Sequence, residues 1–263
     1  MSQDFYASVL ESLNIDKADS IIVLCGGPFD AKTLNTAGFK NVVITNVDHH
    51  DGVTDLAPYS WTYQDAENVT MADGSTDWAI VHAGLHHCAS PHRGFCEMLR
   101  IARKGVVVLE ARDSLLMRLA HKIGLSTEFE TAPALISKGK FGGFRNTKIP
   151  NYVYRWTERE FEKAAQSFFP HFEFAFSYRY GYLIPTRGVA MSRSPVKRVI
   201  VKLANASTAL LEVLLPRQGN RFAMIARRTD RLKPWLKLDA NGEIEVDLAY
   251  LEKFSDRTRY KKG

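Results

Sequence analysis

Gly26, Gly27 and Asp48 are the residues whose types and spacing point most directly to chemistry. An apolar run, Ile21 to Leu24, stops at Cys25-Gly26-Gly27-Pro28, and a second from Val42 ends on Asp48, 22 positions after Gly26. Glycines at a strand end let the backbone approach a ligand closely. An acid about 20 residues further on is placed to hydrogen-bond ribose hydroxyls. A dinucleotide site calls for G-x-G-x-x-G, but the other two positions counted from Gly26 hold Pro28 and Ala31. Proline also withdraws a backbone N–H where a pyrophosphate needs donors. An adenosine-bearing cofactor without phosphates fits this turn better, although a Gly-Gly pair alone equally suits an ordinary turn.

Two further segments must position these residues. Asp65-Ala66-Glu67 precedes a strand-like run, Trp78 to Val81, that ends at His82-Ala83-Gly84. Next, Ser90 can cap a helix with Pro91 at its first position. Helical spacing puts Phe95, Met98, Leu99 and Ala102 on one face, with Gly105 as the stop before the apolar run Val106 to Ala111.

In these motifs the chain resembles the class I S-adenosylmethionine-dependent methyltransferases. It is most similar to the type 11-like subgroup with an LHH…SP…L.E..R..K.G block, here Leu85-His86-His87 through Gly105. The resemblance covers roughly residues 18–113. It implies S-adenosylmethionine as cofactor, with its methionine part at Cys25, Gly26 and Gly27. It places the ribose on Asp48, the adenine edge on Asp65 and Ala66, and the reacting methyl beside His82, Ala83, Gly84 and the His86-His87 pair. The family's first motif reads closer to D/E-x-G-x-G-x-G, whereas this chain has C-G-G-P-F-D. Asp30 either substitutes for the missing acid or caps the following helix.

Three histidines and a cysteine in HHCASPH invite a metal reading. Structural zinc sites need four ligands, usually in two spaced pairs, and no second Cys/His pair follows. Adjacent His86 and His87 would also diverge on an extended backbone, so no metal is expected. An imidazole can instead take the acceptor's proton near neutral pH, and His86 or His87, with His86 slightly preferred, is the candidate catalytic base. The other reading is that the pair only fixes its loop. Methyl transfer can also proceed without a base, since alignment alone supplies on the order of 7–11 kcal/mol. Arg112 and Asp113, just after the fifth strand, border the same cleft. Arg112 is a candidate acceptor contact, and Asp113 either joins it or caps the next helix.

Charge is unevenly placed. Residues 1–110 hold 7 Lys and Arg against 14 Asp and Glu, and residues 111–263 hold 28 against 15, for a total of +6. The excess is either a solvated basic surface or a face for an anionic acceptor. Without a recognised binding module or a dense basic-aromatic block, it argues against nucleic acid. No basic n-region opens the chain and no run of about 18 apolar residues occurs, so neither a signal peptide nor a membrane span is expected. Three cysteines without scaffold spacing suit a reducing cytoplasm.

Beyond residue 110, Asp113 to Leu125 predicts a helix with Leu115, Leu116, Leu119, Ala120 and Ile123 towards the core. Residues 126–153 show no periodicity and read as a lid or acceptor loop, with Phe141, Phe144 and Arg145 as contacts, or as a plain surface loop. Thr157 and Glu160 form a capping box for a helix to Phe168, with Phe161, Ala164, Ala165 and Phe168 as its apolar stripe. Strands are expected at 172–178, 198–203 and 221–227, and a short helix at 207–215.

The expected fold is therefore a single α/β domain over 1–263. Its Rossmann-like doubly wound sheet would be mainly parallel and seven-stranded, with an antiparallel final hairpin, a cofactor half near 18–113 and a variable part over 114–263. The expected function is methyl transfer to an O or N atom of a small-molecule or glycan-type acceptor that carries negative charge if the basic half serves it. Two alternatives are a non-catalytic cofactor-binding module and, less favoured by Pro28 and Ala31, an NAD-dependent oxidoreductase. Oligomeric state is not legible.

Overall fold

The computed structural model describes residues 3–47, 56–183 and 195–257. Asp48 lies outside them. Continuous apolar runs build the centre of the protein. In β1 (Ile21–Leu24) every residue is buried, because successive side chains point to opposite faces and both faces are covered. Ile21 and Val23 join one core with Tyr6, Val9 and Leu10 of helix α1 (Gln3–Ser12) and Leu34 of α2 (Pro28–Thr36). Ile22 and Leu24 join a second core with Phe95, Met98 and Leu99 of α3 (Pro91–Ile101).

Parallel pairing extends this strand in both directions. On one side stand β2 (Val42–Asn46) and β3 (Ser60–Tyr63), and on the other β4 (Thr76–His82) and β5 (Ala102–Ala111). The chain then makes a small antiparallel pair, β6 (Phe129–Glu130) with β7 (Asn151–Tyr152), around a short helix α5 (Ala132–Ile136). Helix α6 (Glu158–Phe168) leads into β8 (Phe172–Gly181), and the last long strand, β9 (Arg221–Leu232), inserts antiparallel between β5 and β8. The seven-stranded order is thus β3-β2-β1-β4-β5-β9-β8, the expected doubly wound sheet with its antiparallel hairpin.

Local chemistry explains the helix starts. Ser90 Oγ accepts the Arg93 N–H at 3.3 Å with Pro91 behind it, and Thr157 with Glu160 forms the expected capping box. At α2 the Asp30 carboxylate accepts the Gly27 N–H at 3.0 Å, so Asp30 is a cap. Its other oxygen, Oδ1, is buried without a hydrogen-bond partner. Burial outweighs the Gly27 bond and raises the Asp30 pKa to about 7. The native state therefore keeps a proton that the unfolded chain gives up near pH 4. Stability is expected to fall by about 4 kcal/mol as pH rises from 4 to 7, then to level off. Urea midpoints of Asp30→Asn should lack that slope, and a slope shared by wild type and variant would refute the assignment.

Several expectations are corrected. α3 gives way to β5 at Ala102 with no stop residue, and Gly105 lies inside β5, where a Cβ would stand 2.6 Å from the Ala226 carbonyl oxygen. The next helix, α4, is Leu115–Lys122 and is capped by Ser114, while Asp113 pairs with Arg118. Leu115, Leu119 and Ile123 are exposed, so this stripe covers nothing among the described residues. Phe168 likewise turns outward. The expected strand over 198–203 is part of a helix, Pro195–Ala206. Its Val-Ile-Val run mimics a strand, but Val196, Val199 and Leu203 follow helical spacing, and β8 pairs directly with β9 instead. No helix among the described residues is long and apolar enough to cross a membrane.

Candidate functional site

Parallel sheets bind ligands where connections leave neighbouring strands in opposite directions. Here that point lies between β1 and β4, and two non-glycine residues mark it. Cys25 (φ 53°) and Ala83 (φ 52°) both take the left-handed conformation at the strand ends. Such residues cost free energy and cluster at functional sites. Gly84 lets them meet, because a Cβ there would stand 2.5 Å from Cys25 Cβ.

Above these turns opens a pocket of about 480 Å³. Cys25, Asp65, Ala66, Ala83, Gly84, His87 and Arg145 line it, all anticipated from the sequence. Asn46, Val47, Tyr63, Glu67, Cys88, Pro133, Gly142 and Asn146 complete the wall. Asn46 caps β2 by donating from Nδ2 to the Gly26 carbonyl at 3.1 Å, so it ties the second strand end to the first turn. Glu67, buried, accepts the Ala89 and Ser90 N–H groups at 2.9 and 2.8 Å, which joins the third strand's loop to the start of α3.

Other expected contacts stand elsewhere. Gly26 and Gly27 lie beneath the pocket, with their N–H groups given to the Thr45 carbonyl and to Asp30. His82 stacks with both Tyr6 and Phe29 on the α1 side, and burial lowers its pKa to about 4. Arg112 is corrected. It forks onto both Glu158 oxygens at 2.8 and 3.1 Å, caps the Arg217 carbonyl and lies over Tyr180 and Phe222, which locks β5 to α6. Phe141 and Phe144 do not line the pocket. Arg145 from the same segment does, and its guanidinium donates to Asp65 Oδ2 at 2.8 Å. The segment 126–153 is therefore a partly structured cover pinned across the cleft.

The histidine pair sits in a 3₁₀ turn, Leu85–His87, between β4 and α3. His86 is buried, and its Nδ1 donates to Glu110 Oε2 at 2.7 Å. Glu110, fully buried at the end of β5, also accepts the Leu85 N–H at 2.7 Å. His86 Nε2 lies 3.2 Å from Glu130 Oε2 on β6. Burial alone would lower the His86 pKa, but the Glu110 carboxylate with Glu130 overcomes it and pushes the value up to about 10. The ring holds its proton at neutral pH, so the preference for His86 as base is not supported. His87 Nδ1 donates to the Gly143 carbonyl at 3.1 Å, and burial together with the charged His86 lowers its pKa. Neutral His87 is the histidine that reaches the pocket. Glu110 and Glu130 were missed by sequence reasoning, since nothing in the spacing of HHCASPH points 23 or 43 residues ahead.

A sheet in this order, with an antiparallel hairpin and a switch-point pocket above a glycine-supported turn, defines the class I methyltransferase architecture. Residues 23–109 match the family model described as a methyltransferase domain, and that match, together with the fold, supports an S-adenosylmethionine-dependent methyltransferase. No curated protein sequence matches the chain. Among solved structures, one chain of the complex of the Haloferax volcanii Trm112 methyltransferase activator is similar at 13% identity. It covers 86% of this chain and 88% of its own, with a TM-score of 0.53. The YcgJ protein of Bacillus subtilis (10% identity, 87% and 99% covered, TM-score 0.51) and an S-adenosylmethionine-dependent methyltransferase of Archaeoglobus fulgidus (9%, 86% and 94%, TM-score 0.50) are also similar. At these identities they share the fold.

Proposed function

We propose that the enzyme methylates an oxygen or nitrogen atom of a small-molecule or glycan-type acceptor. The observation that carries this reading is the pocket itself. Cys25, Ala83 and Gly84 form its floor, and the Arg145–Asp65 contact spans it from the covering segment, which leaves room for a cofactor and a compact acceptor. The methionine part would sit over Cys25, and the adenine near Asp65 and Ala66. The ribose assignment to Asp48 rests on the resemblance. Alignment of the acceptor lone pair with the sulfonium methyl would be the main source of rate, and His87 Nε2 would take the acceptor's proton. An anionic acceptor is supported only by the basic second half, because Arg145 on the wall is already paired with Asp65.

Calorimetric titration tests the cofactor side. Micromolar binding of S-adenosylmethionine and S-adenosylhomocysteine is expected, weakened at least tenfold in Asp48→Ala, with no heat from NAD. Binding of NAD alone would overturn the proposal. Salt-insensitive binding of a true acceptor would remove the anionic reading while leaving the rest.

A further inference from the structure

We propose that His86, His87 and Glu130 form a binding site for one divalent transition-metal ion of the zinc type at the edge of the cofactor pocket. Their ligand atoms all lie within 4.8 Å of one another. Glu130 Oε2 is 3.2 Å from His86 Nε2 and 3.5 Å from His87 Nε2. Ligands around a tetrahedral zinc at about 2.0–2.1 Å stand about 3.4 Å apart, so the spacing already suits a shared ion.

The orientation of the rings strengthens the case. A metal-bound histidine almost always donates its other ring N–H to a carboxylate or a backbone carbonyl. Both rings do so here, His86 Nδ1 to Glu110 and His87 Nδ1 to the Gly143 carbonyl. Each ring thus turns Nε2 towards Glu130. With each Nδ1 engaged on the far side of its ring, His86 Nε2 and His87 Nε2 converge on the same Glu130 oxygen, Oε2, so one ion can meet all three ligand atoms.

The objection that adjacent histidines diverge applies to extended backbone. In the 3₁₀ turn the two ring centroids are 4.5 Å apart, so both rings stand on one side. The third ligand is held to them independently, because Asn151 of β7, paired with Glu130, donates from Nδ2 to the His86 carbonyl at 3.3 Å. Three protein ligands leave a coordination position for an exogenous group, the pattern of catalytic rather than structural sites. His87 lines the pocket, which directs that position towards the acceptor.

This inference rests on the proposed function and changes one step of it. A metal-bound acceptor hydroxyl releases its proton to water, and the oxygen attacks the sulfonium methyl. The C–S electron pair stays on sulfur, giving S-adenosylhomocysteine, and His87 acts through the ion.

The test uses full-length, tag-free protein dialysed against chelator. Titration with Zn²⁺, and with Co²⁺ followed by visible absorption, is expected to show one equivalent bound. Glu130→Ala, altered at a half-exposed side chain, and His87→Ala should each weaken Zn²⁺ binding at least tenfold, with circular dichroism unchanged. No stoichiometric binding by wild type, or binding indifferent to both variants, overturns the site. S-adenosylmethionine titrated into the chelated and Zn²⁺-loaded forms separates the two claims. Cofactor binding without metal binding leaves the methyltransferase reading standing and removes the ion, and the converse removes the other.

Discussion

Glu110→Ala is expected to destabilise the protein by about 3–5 kcal/mol, the cost of stripping one partner from a buried charged pair. The carboxylate is fully buried and accepts two 2.7 Å hydrogen bonds, from the Leu85 N–H and from His86 Nδ1. Alanine would leave the buried Nδ1 proton of His86 and the buried Leu85 amide without acceptors, with Glu130 alone facing the ring. Against a total stability of roughly 5–15 kcal/mol, that loss threatens the native state. Glu110→Gln keeps an acceptor oxygen and nearly the same volume, so it should lose distinctly less. Urea denaturation of the three proteins decides the matter. Equal midpoints for wild type and alanine variant would mean that Glu110 is neither charged nor needed.

Gly84→Ala is expected to weaken S-adenosylmethionine binding about a hundredfold, the scale of effect that a misplacement of about 1 Å produces at an active site. The new methyl would stand 2.5 Å from Cys25 Cβ and 3.0 Å from Val81 Cγ2. Val81 is in the strand core, so Cys25 and its turn must move, and that turn is the pocket floor. Relief should come from the second site. Cys25→Gly removes the opposing Cβ and suits the φ of 53°, so the double variant is expected to recover most of the affinity. Full binding by the single Gly84→Ala protein would show that the floor does not touch the cofactor.

Much of this was legible in the chain because it lies in short-range pattern. Uniform apolar runs that stop at Cys25-Gly26 and at His82-Ala83 mark buried parallel strands, and Ser90-Pro91 and Thr157…Glu160 mark helix starts. Strand ends then located Cys25, Ala83 and Gly84, and the family resemblance located Asp65 and Ala66. What stayed hidden depends on partners distant in sequence. Arg112 could not be known to lock onto Glu158, nor Arg145 to reach Asp65, 80 positions away. Periodicity found the stripe on α4 but not that solvent faces it. At 198–203, β-branched propensity outvoted the 3.6-residue spacing, and the helix took the segment.

The place of β9 bears on how the enzyme is made. β5 completes the cofactor half, yet among the described residues its outer edge is paired by residues 221–227, after the whole of 112–220 has been synthesised. Until then the nascent chain presents a ten-residue edge whose Val106 to Leu109 side chains are among the most deeply buried of the finished protein. Unpaired edges of this kind recruit other strands. Emergence from the ribosome is therefore the vulnerable period for this polypeptide. Premature termination anywhere before the last long strand leaves a sticky fragment instead of a smaller working enzyme.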